Sequence, residues 1–304
     1  MYRLINVTGG VGGDCHLLIG KAKTAIVDTG MAYCAATVID NIQKALAEYM
    51  PDHPQLDYVF LTHSHYDHLG ALPYILEAWP EAKVCAAAHA QKVLRRPNAL
   101  KTIRRLSEGA CIVFSDGHLP PYDDHAMHVD ICMKDQDIID LGDCPVMALE
   151  TPGHTQCSLT FYVDHDLIFG SESTGYTSKC GRVNTTYVNS YKQAVASIEK
   201  CRALGAAKIV SPHYGLLSDE EAAVYWQKCL EATEHHKNFI LEKARSGCSE
   251  EEILEACFHE FYDEICKFEQ PYRAWKANTL AAIRTVLEEF GITADKSQTA
   301  SPHR

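Results

Sequence analysis

Residues 62–70 read THSHYDHLG, and four side chains with metal-binding lone pairs, His63, His65, Asp67 and His68, fall within six positions of one another. Imidazole nitrogens and carboxylate oxygens are donors that Zn²⁺ takes at about 2.0–2.2 Å, and iron or manganese accepts the same set. In an extended or tightly turned segment His63 and His65, two positions apart, point to one side. Asp67 and His68 lie beyond the turn, placed to serve a second ion. Four donors on one turn are more than a single ion takes from one loop, so the spacing favours two ions. The competing reading is a polar loop that is histidine-rich by chance, in a chain with 16 His. It weakens once His154 and His213 are counted, because each also follows directly on an apolar run, "VMALETPG" and "KIVSP". Strand ends that gather at one edge are how distant loops converge on one site.

The elements that must hold these loops alternate. "YRLINVTGG", "CHLLIG" and "KTAIVDTG" read as short strands with glycine turns. A helix is expected over 34–49, where Ala36, Val38, Ile39, Ile42, Ala45 and Leu46 keep helical spacing. "LDYVFLT" is a strand leading into the histidine turn, a helix runs from Leu69 to Ala78, and "AKVCAAA" is a further strand. Residues 107–127, rich in Gly, Pro, Asp and His, read as an insertion or flexible cover. "HVDICM", "DIIDLG" and "CPVMALETPG" follow as strands, and "SLTFYVD" with "DLIFG" makes a hairpin around Asp164–His165–Asp166. A helix near 190–203 precedes the strand "AKIVSPHYG". Alternating strand groups and helices indicate a layered α/β protein. Beyond residue 218 the pattern is helical only. Ser218 with Glu221 and Ser249 with Glu252 form capping boxes, and three helices are expected up to Gly291. Residues 293–304 lack apolar periodicity and are expected to fray.

Composition excludes several classes. Of 304 residues, 46% are hydrophobic and 22% charged, which is ordinary globular usage, and the net charge of -12 with no basic stripe argues against nucleic acid as a partner. No stretch approaches 18 apolar residues, and the start of the chain lacks the basic and apolar regions of a secretion signal, so no membrane partner is expected. Thirteen scattered cysteines without a C-x-x-C pair suit a reducing, cytoplasmic setting. Cys157 is read as a packing residue. His16, His89, His118, His125, His128 and His165 are read as surface or loop histidines, and His235–His236 as facing apart on a helix. The glycine-rich "GGVGG" precedes a strand, not a helix, so it is not a phosphate loop.

In "THSHYDHLG", "TPGHT" and "SPHYG" the chain resembles the metallo-β-lactamase superfamily, and "IVDTG" matches the strand and turn before the first helix there. The resemblance covers about residues 1–217. It implies an α/β fold, a four-layered αβ/βα sandwich with metals at one edge of two sheets, here carrying an all-helical extension over 218–292. It also implies that His63, His65 and His154 bind one metal while Asp67, His68 and His213 bind the other. The family places a bridging Asp after the strand "DLIFG". Here "FGSESTG" puts Ser171 at that place and Glu172 just after it. Glu172 is read as the bridge, its extra methylene and a re-aimed backbone covering the offset. The other reading leaves Glu172 a solvated loop acid and the site mononuclear or loosely dinuclear.

Two divalent ions, zinc first, would ionise a bound water near neutral pH and polarise the oxygen of a carbonyl or phosphoryl centre. Asp67 and Glu172 would orient the nucleophile or handle protons. The layout is similar to the subgroup with a helical appendage, typified by the thioesterase of bacterial alkyl-quinolone signalling. The helices, residues 107–127 and the tyrosine-bearing loop "TGYTSKCGRVNTTYVNSY" would then roof the metals. The alternative is that the helices cover an apolar face or make a homodimer. The leading expectation is a hydrolase of a small ester, thioester or lactone. A phosphodiesterase is second, and a regulatory protein with a nearly idle metal site is the reading from another class.

Overall fold

A computed structural model describes residues 2–12 and 14–292, so the expected fraying of 293–304 lies outside the described residues. Strands β1 (Arg3–Asn6), β2 (His16–Ile19) and β3 (Thr24–Val27) pair antiparallel. Every residue of β2 (HLLI) and β3 (TAIV) is buried, the continuous burial expected where a sheet is covered on both faces. After helix α1 (Ala35–Tyr49) the sheet continues in parallel through β4 (Tyr58–Phe60), β5 (Lys83–Ala87) and β6 (Ile131–Met133). Helices α2 (Tyr66–Leu69), α3 (Leu72–Ala78), α4 (Ala88–Leu94) and α5 (Pro97–Phe114) supply the crossovers.

The second sheet opens with β7 (Ile138–Asp140), β8 (Pro145–Glu150), β9 (Leu159–Val163) and β10 (Leu167–Phe169), all antiparallel. The expected hairpin around Asp164–His165–Asp166 joins the last two, with Asp164 and His165 at positive φ, as tight hairpin turns require. A separate two-stranded ribbon, β11 (Tyr176–Thr177) and β12 (Val183–Asn184), and helix α6 (Tyr191–Arg202) come next. Then β13 (Lys208–Ser211) pairs parallel to β10, and β14 (Gly215–Leu216) closes the edge. Both sheets are thus six-stranded and mixed, in the orders β1-β2-β3-β4-β5-β6 and β14-β13-β10-β9-β8-β7.

One apolar cluster fills the space between the sheets, where Phe60 and Phe161 meet with ring centroids 5.1 Å apart. Another lies outside the second sheet, where Ile168 and Ile209 pack on Ile198 and Cys201 of α6 and on Tyr225 and Trp226. The last two belong to α7 (Asp219–Arg245), the first helix of the C-terminal region, which continues with α8 (Glu250–Phe261), α9 (Glu264–Glu269) and α10 (Tyr272–Glu289). These helices pack around a third core, including Ile240, Ile253, Trp275 and Ile283, to which Tyr187 and, from α6, Tyr191 and Ala194 also contribute. The architecture is the expected αβ/βα sandwich with a helical C-terminal region. Both capping boxes form as expected.

Two expectations are corrected. Residues 107–114 are not a flexible cover but the second half of the 18-residue α5. Its buried face, Leu100, Ile103, Ser107, Ala110 and Cys111, has helical spacing, but Gly109 interrupts the propensity and faces open space. The three helices expected beyond residue 218 are four, because the one that Ser249 opens stops at Phe261 and the Asp263 side chain, accepting from the Ile265 and Cys266 amides, starts α9 as a separate helix. Among the described residues no helix is long and apolar enough to cross a membrane. Ten of the thirteen cysteines are buried and none is paired.

The histidine turn is clamped to its neighbour. Thr29 N–H donates to His68 O at 2.7 Å, and Ala71 N–H donates to Gly30 O. A Cβ on Gly70 would stand 2.4 Å from Tyr66 O and 2.7 Å from Ala32 N, both backbone atoms that cannot step aside alone. Gly70→Ala is therefore expected to cost about 2–3 kcal/mol by overpacking and to loosen bound metal. Thermal melting and metal content of the purified variant check this, and an unchanged pair of values would refute it.

Candidate metal centre

Each candidate ligand sits just past a strand end. β3 and β4 run parallel in the first sheet, as do β10 and β13 in the second, and β8 shares their direction because two antiparallel steps separate it from β10. Asp28, the turn 62–68, His154, Glu172 and His213 therefore gather at one edge of the sandwich. The backbone there is strained where it re-aims side chains, with φ of 55° at Asp28 and 62° at His213, values L residues adopt rarely. Gly153 lets the "TPGHT" loop approach α6, since a Cβ would lie 2.7 Å from Ala194 Cα.

Two groups of donors converge. His63, His65, His154 and Glu172 each offer a ligand atom within 4.8 Å of the others, and so do Asp67, His68 and His213. Glu172 Oε2 lies 2.8 Å from His154 Nε2, 3.1 Å from His63 Nε2 and 3.7 Å from His68 Nε2. Its Oε1 lies 3.0 Å from His213 Nε2. One carboxylate thus touches both groups. His154 Nε2 and His65 Nδ1 face each other at 3.0 Å, and His68 Nε2 is 3.7 Å from Asp67 Oδ2. Two donors each about 2.0–2.2 Å from a common ion stand roughly 3–3.5 Å apart, so these spacings fit shared cations. The fit is reinforced by two orphans. His63 Nε2 and His68 Nε2 are buried without a hydrogen-bond partner, although His63 Nε2 stands 3.1 Å from a Glu172 oxygen. A buried nitrogen without a partner is costly unless something binds its lone pair.

The reading of Glu172 as a solvated loop acid is corrected: the residue is 8% exposed. Ser171, at the place where the family carries Asp, turns the other way. Its Oγ joins Thr151 Oγ1 at 2.9 Å in a buried hydroxyl cluster with Thr160. Sequence reasoning also missed Asp28. Its Oδ2 accepts from His68 Nδ1 at 2.8 Å and from Thr62 Oγ1 at 2.7 Å, and Oδ1 accepts from Thr62 N–H at 2.8 Å. A carboxylate behind an imidazole fixes the tautomer that leaves the other nitrogen facing the metal. The strand-end Asp in "IVDTG" is the signal that marks it. His154 is held likewise, its Nδ1 2.6 Å from Thr186 O.

Histidines outside the groups fall mostly as read. His118, His125, His128 and His165 are exposed and His89 is half-buried at the start of α4. His235 is exposed, while His236 Nδ1 accepts from Tyr187 Oη at 2.7 Å. His16 is the exception. It is buried in β2, packs edge-on against Phe169 and lines a small cavity behind the metal groups, because the strand takes its alternate residues inward. Burial pushes its imidazole down to about 4. Cys157 is buried against Ser64 and Thr155, outside both groups.

The two groups hold protons differently. Burial and the neighbouring His68 drive His63 well below the usual imidazole range, and burial with His154 lowers His65 to about 4. Burial also opposes protonation of His68, but Asp28 and Asp67 outweigh it and raise the group to about 10. His213 is raised in the same sense by Glu172 against burial. Imidazole must be neutral to ligate. A cation thus meets ready donors in the first group and must displace protons in the second. Lowering the pH from about 8 to 6 is expected to release one metal equivalent well before the other, as elemental analysis after dialysis would show. Simultaneous loss of both equivalents would contradict this.

The metallo-beta-lactamase superfamily profile matches residues 8–213, and the chain belongs to that superfamily. With two His-rich metal-binding groups at the sheet edge, it is a metal-dependent hydrolase of that fold. Among relatives, it is 27% identical over 210 residues to the metallo-beta-lactamase fold-containing protein ST1585 of Sulfurisphaera tokodaii, covering 67% of this chain and 73% of that one. It is 31% identical over 170 residues to the probable hydroxyacylglutathione hydrolase glo2 of Schizosaccharomyces pombe, covering 55% of this chain and 50% of that protein. The chain therefore spans only about half of that relative. Among solved structures, the metallo-beta-lactamase family protein TTHA1429 of Thermus thermophilus superposes with a TM-score of 0.63 at 19% identity, over 95% of this chain and 94% of that one. That likeness of fold extends through the C-terminal helices.

Proposed function

We propose that the chain hydrolyses a small ester, thioester or lactone with two divalent cations, zinc first among them. His63, His65 and His154 would hold one cation and Asp67, His68 and His213 the other, with Glu172 bridging. The carrying observation is that the two oxygens of Glu172 reach ligand nitrogens of both groups, at 2.8 Å and 3.0 Å. Bound there, the cations would lower the pKa of water and polarise the scissile carbonyl. The chain's own residues do the rest. Asp28 and Thr62 hold His68 in one tautomer, Thr186 O does so for His154, and Asp67, partly exposed at the rim, is placed to take and return a proton.

Specificity is assigned to the segment after Glu172. The Tyr176 ring lies edge-on to His213 at 5.8 Å, beside the second group of donors. The ribbon that carries Tyr176 is tied to the helical region, through the Arg182–Asp263 ion pair and through Lys179 N–H donating to Glu269. This supports residues 218–292 roofing the site, and a small-molecule substrate rather than a polymer. The likeness to a probable hydroxyacylglutathione hydrolase favours a thioester within the class.

The test is turnover of aryl esters, acyl thioesters, lactones and bis-aryl phosphates, each with and without chelator. Chelator-sensitive turnover of an acyl substrate is expected. Activity confined to the phosphates would replace the reading with a phosphodiesterase, and no chelator-sensitive turnover would leave a regulatory metal site.

A further inference from the structure

Asp14 follows the glycine-rich turn between β1 and β2, a stretch that the reaction above does not use. Its Oδ2 is wholly buried, and among the described residues nothing donates to it. The side chain lines a cavity of about 20 Å³ shared with His16, Asp28, Thr62, His68 and His213. Asp14 is not itself one of the converging ligands. A Cβ on Gly215, two residues past His213, would make ordinary contact with Asp14 Oδ2 at 3.8 Å and His16 Nε2 at 3.7 Å, so this glycine borders the same pair. The cavity has room for about one water beside that oxygen. A buried carboxylate oxygen without a donor is expensive and is retained where positive charge compensates it, and the imidazoles of His213 and His68 face it across the cavity.

We propose that Asp14 is a positioning residue for the second cation, supplying a buried counter-charge behind His68 and His213. Asp67 is the one carboxylate belonging to that group alone, since Glu172 is shared with the first. A second negative charge behind the imidazoles adds to the field that draws a divalent ion in and strengthens the nitrogens as donors. Asp28 does this by a direct hydrogen bond to His68, and Asp14 does it through the field across the cavity. The inference rests on the ligand assignment proposed above.

The experiment titrates the metal-stripped full chain and its Asp14→Asn variant with Zn²⁺ and with Mn²⁺, by calorimetry, and melts both proteins without metal. The expected result has two parts. Affinity for the second equivalent falls about 10–100-fold while the first is unchanged. The metal-free variant melts within a few degrees of the wild type, because an amide of the same shape keeps the packing. Unchanged affinity for the second equivalent overturns the proposal. So does equal weakening of both equivalents with a lower metal-free melting temperature, which marks a packing role. An Asp14→Asn chain that fails to fold marks a structural role and overturns it too. If the wild-type chain itself binds one equivalent, the ligand assignment fails rather than this inference.

Discussion

Stripping the cations is expected to lower the melting temperature by about 10 °C for each tightly held ion, besides abolishing turnover. The reason lies in the site's interior. Without an ion, His63 Nε2 and His68 Nε2 are buried with no hydrogen-bond partner, and five imidazoles crowd around Glu172 with ring centroids as close as 4.1 Å. An ion that binds only the folded chain, present at about 1,000 times its dissociation constant, adds about 4 kcal/mol. For a chain of this size each kcal/mol moves the midpoint by roughly 2–4 °C. Differential scanning calorimetry with and without dialysis against chelator, followed by zinc add-back, measures it. A melting curve indifferent to chelator would show that these side chains hold no ion in the folded protein.

The second large effect is expected from Glu172→Ala. The variant should fall from two metal equivalents to one or none, and its kcat/KM by about 10³-fold, or about 4 kcal/mol of lost electrostatic stabilisation. Glu172 lies within 3.1 Å of nitrogens on His63, His154 and His213, so no single neighbour can replace it. Burial alone would raise its carboxyl pKa, but His154, His213 and His63 together hold it well below the usual range. The residue is therefore an anion among imidazoles whether or not a cation is present. Unchanged stoichiometry by elemental analysis would remove the bridging role and leave Glu172 as a counter-ion to the histidines.

Chain spacing carried much of this and missed definite parts. His63, His65, Asp67 and His68 are legible because they share one turn, where local geometry alone sets their directions. His154, Glu172 and His213 are legible as strand-end residues, since apolar runs mark strands and their ends mark the edge. Asp28 is harder. Its motif was visible in "IVDTG", but its job depends on the hydrogen bond to a histidine 40 positions away. Asp14 and His16 have no readable pattern at all, since one ends a glycine turn and the other begins a strand.

Ser171 and Glu172 show the division most sharply. The one-residue offset is plain in "FGSESTG", but either side chain was able to face the metals. The fold chose when Ser171 Oγ settled among the hydroxyls of Thr151 and Thr160, which turned the next residue outward to the edge. Helix α5 shows the same limit from the other side: Gly109 hides a helix that burial against the sandwich stabilises.

The sequence by itself determined which donors exist, that they lie at the ends of strands, and that helices follow them. Only the tertiary structure decided which ends meet, which oxygen spans two groups, and which buried carboxylates stand behind the histidines. Local propensity acts over a few residues, whereas the field and packing at a metal edge are set by side chains brought together from five distant strand ends.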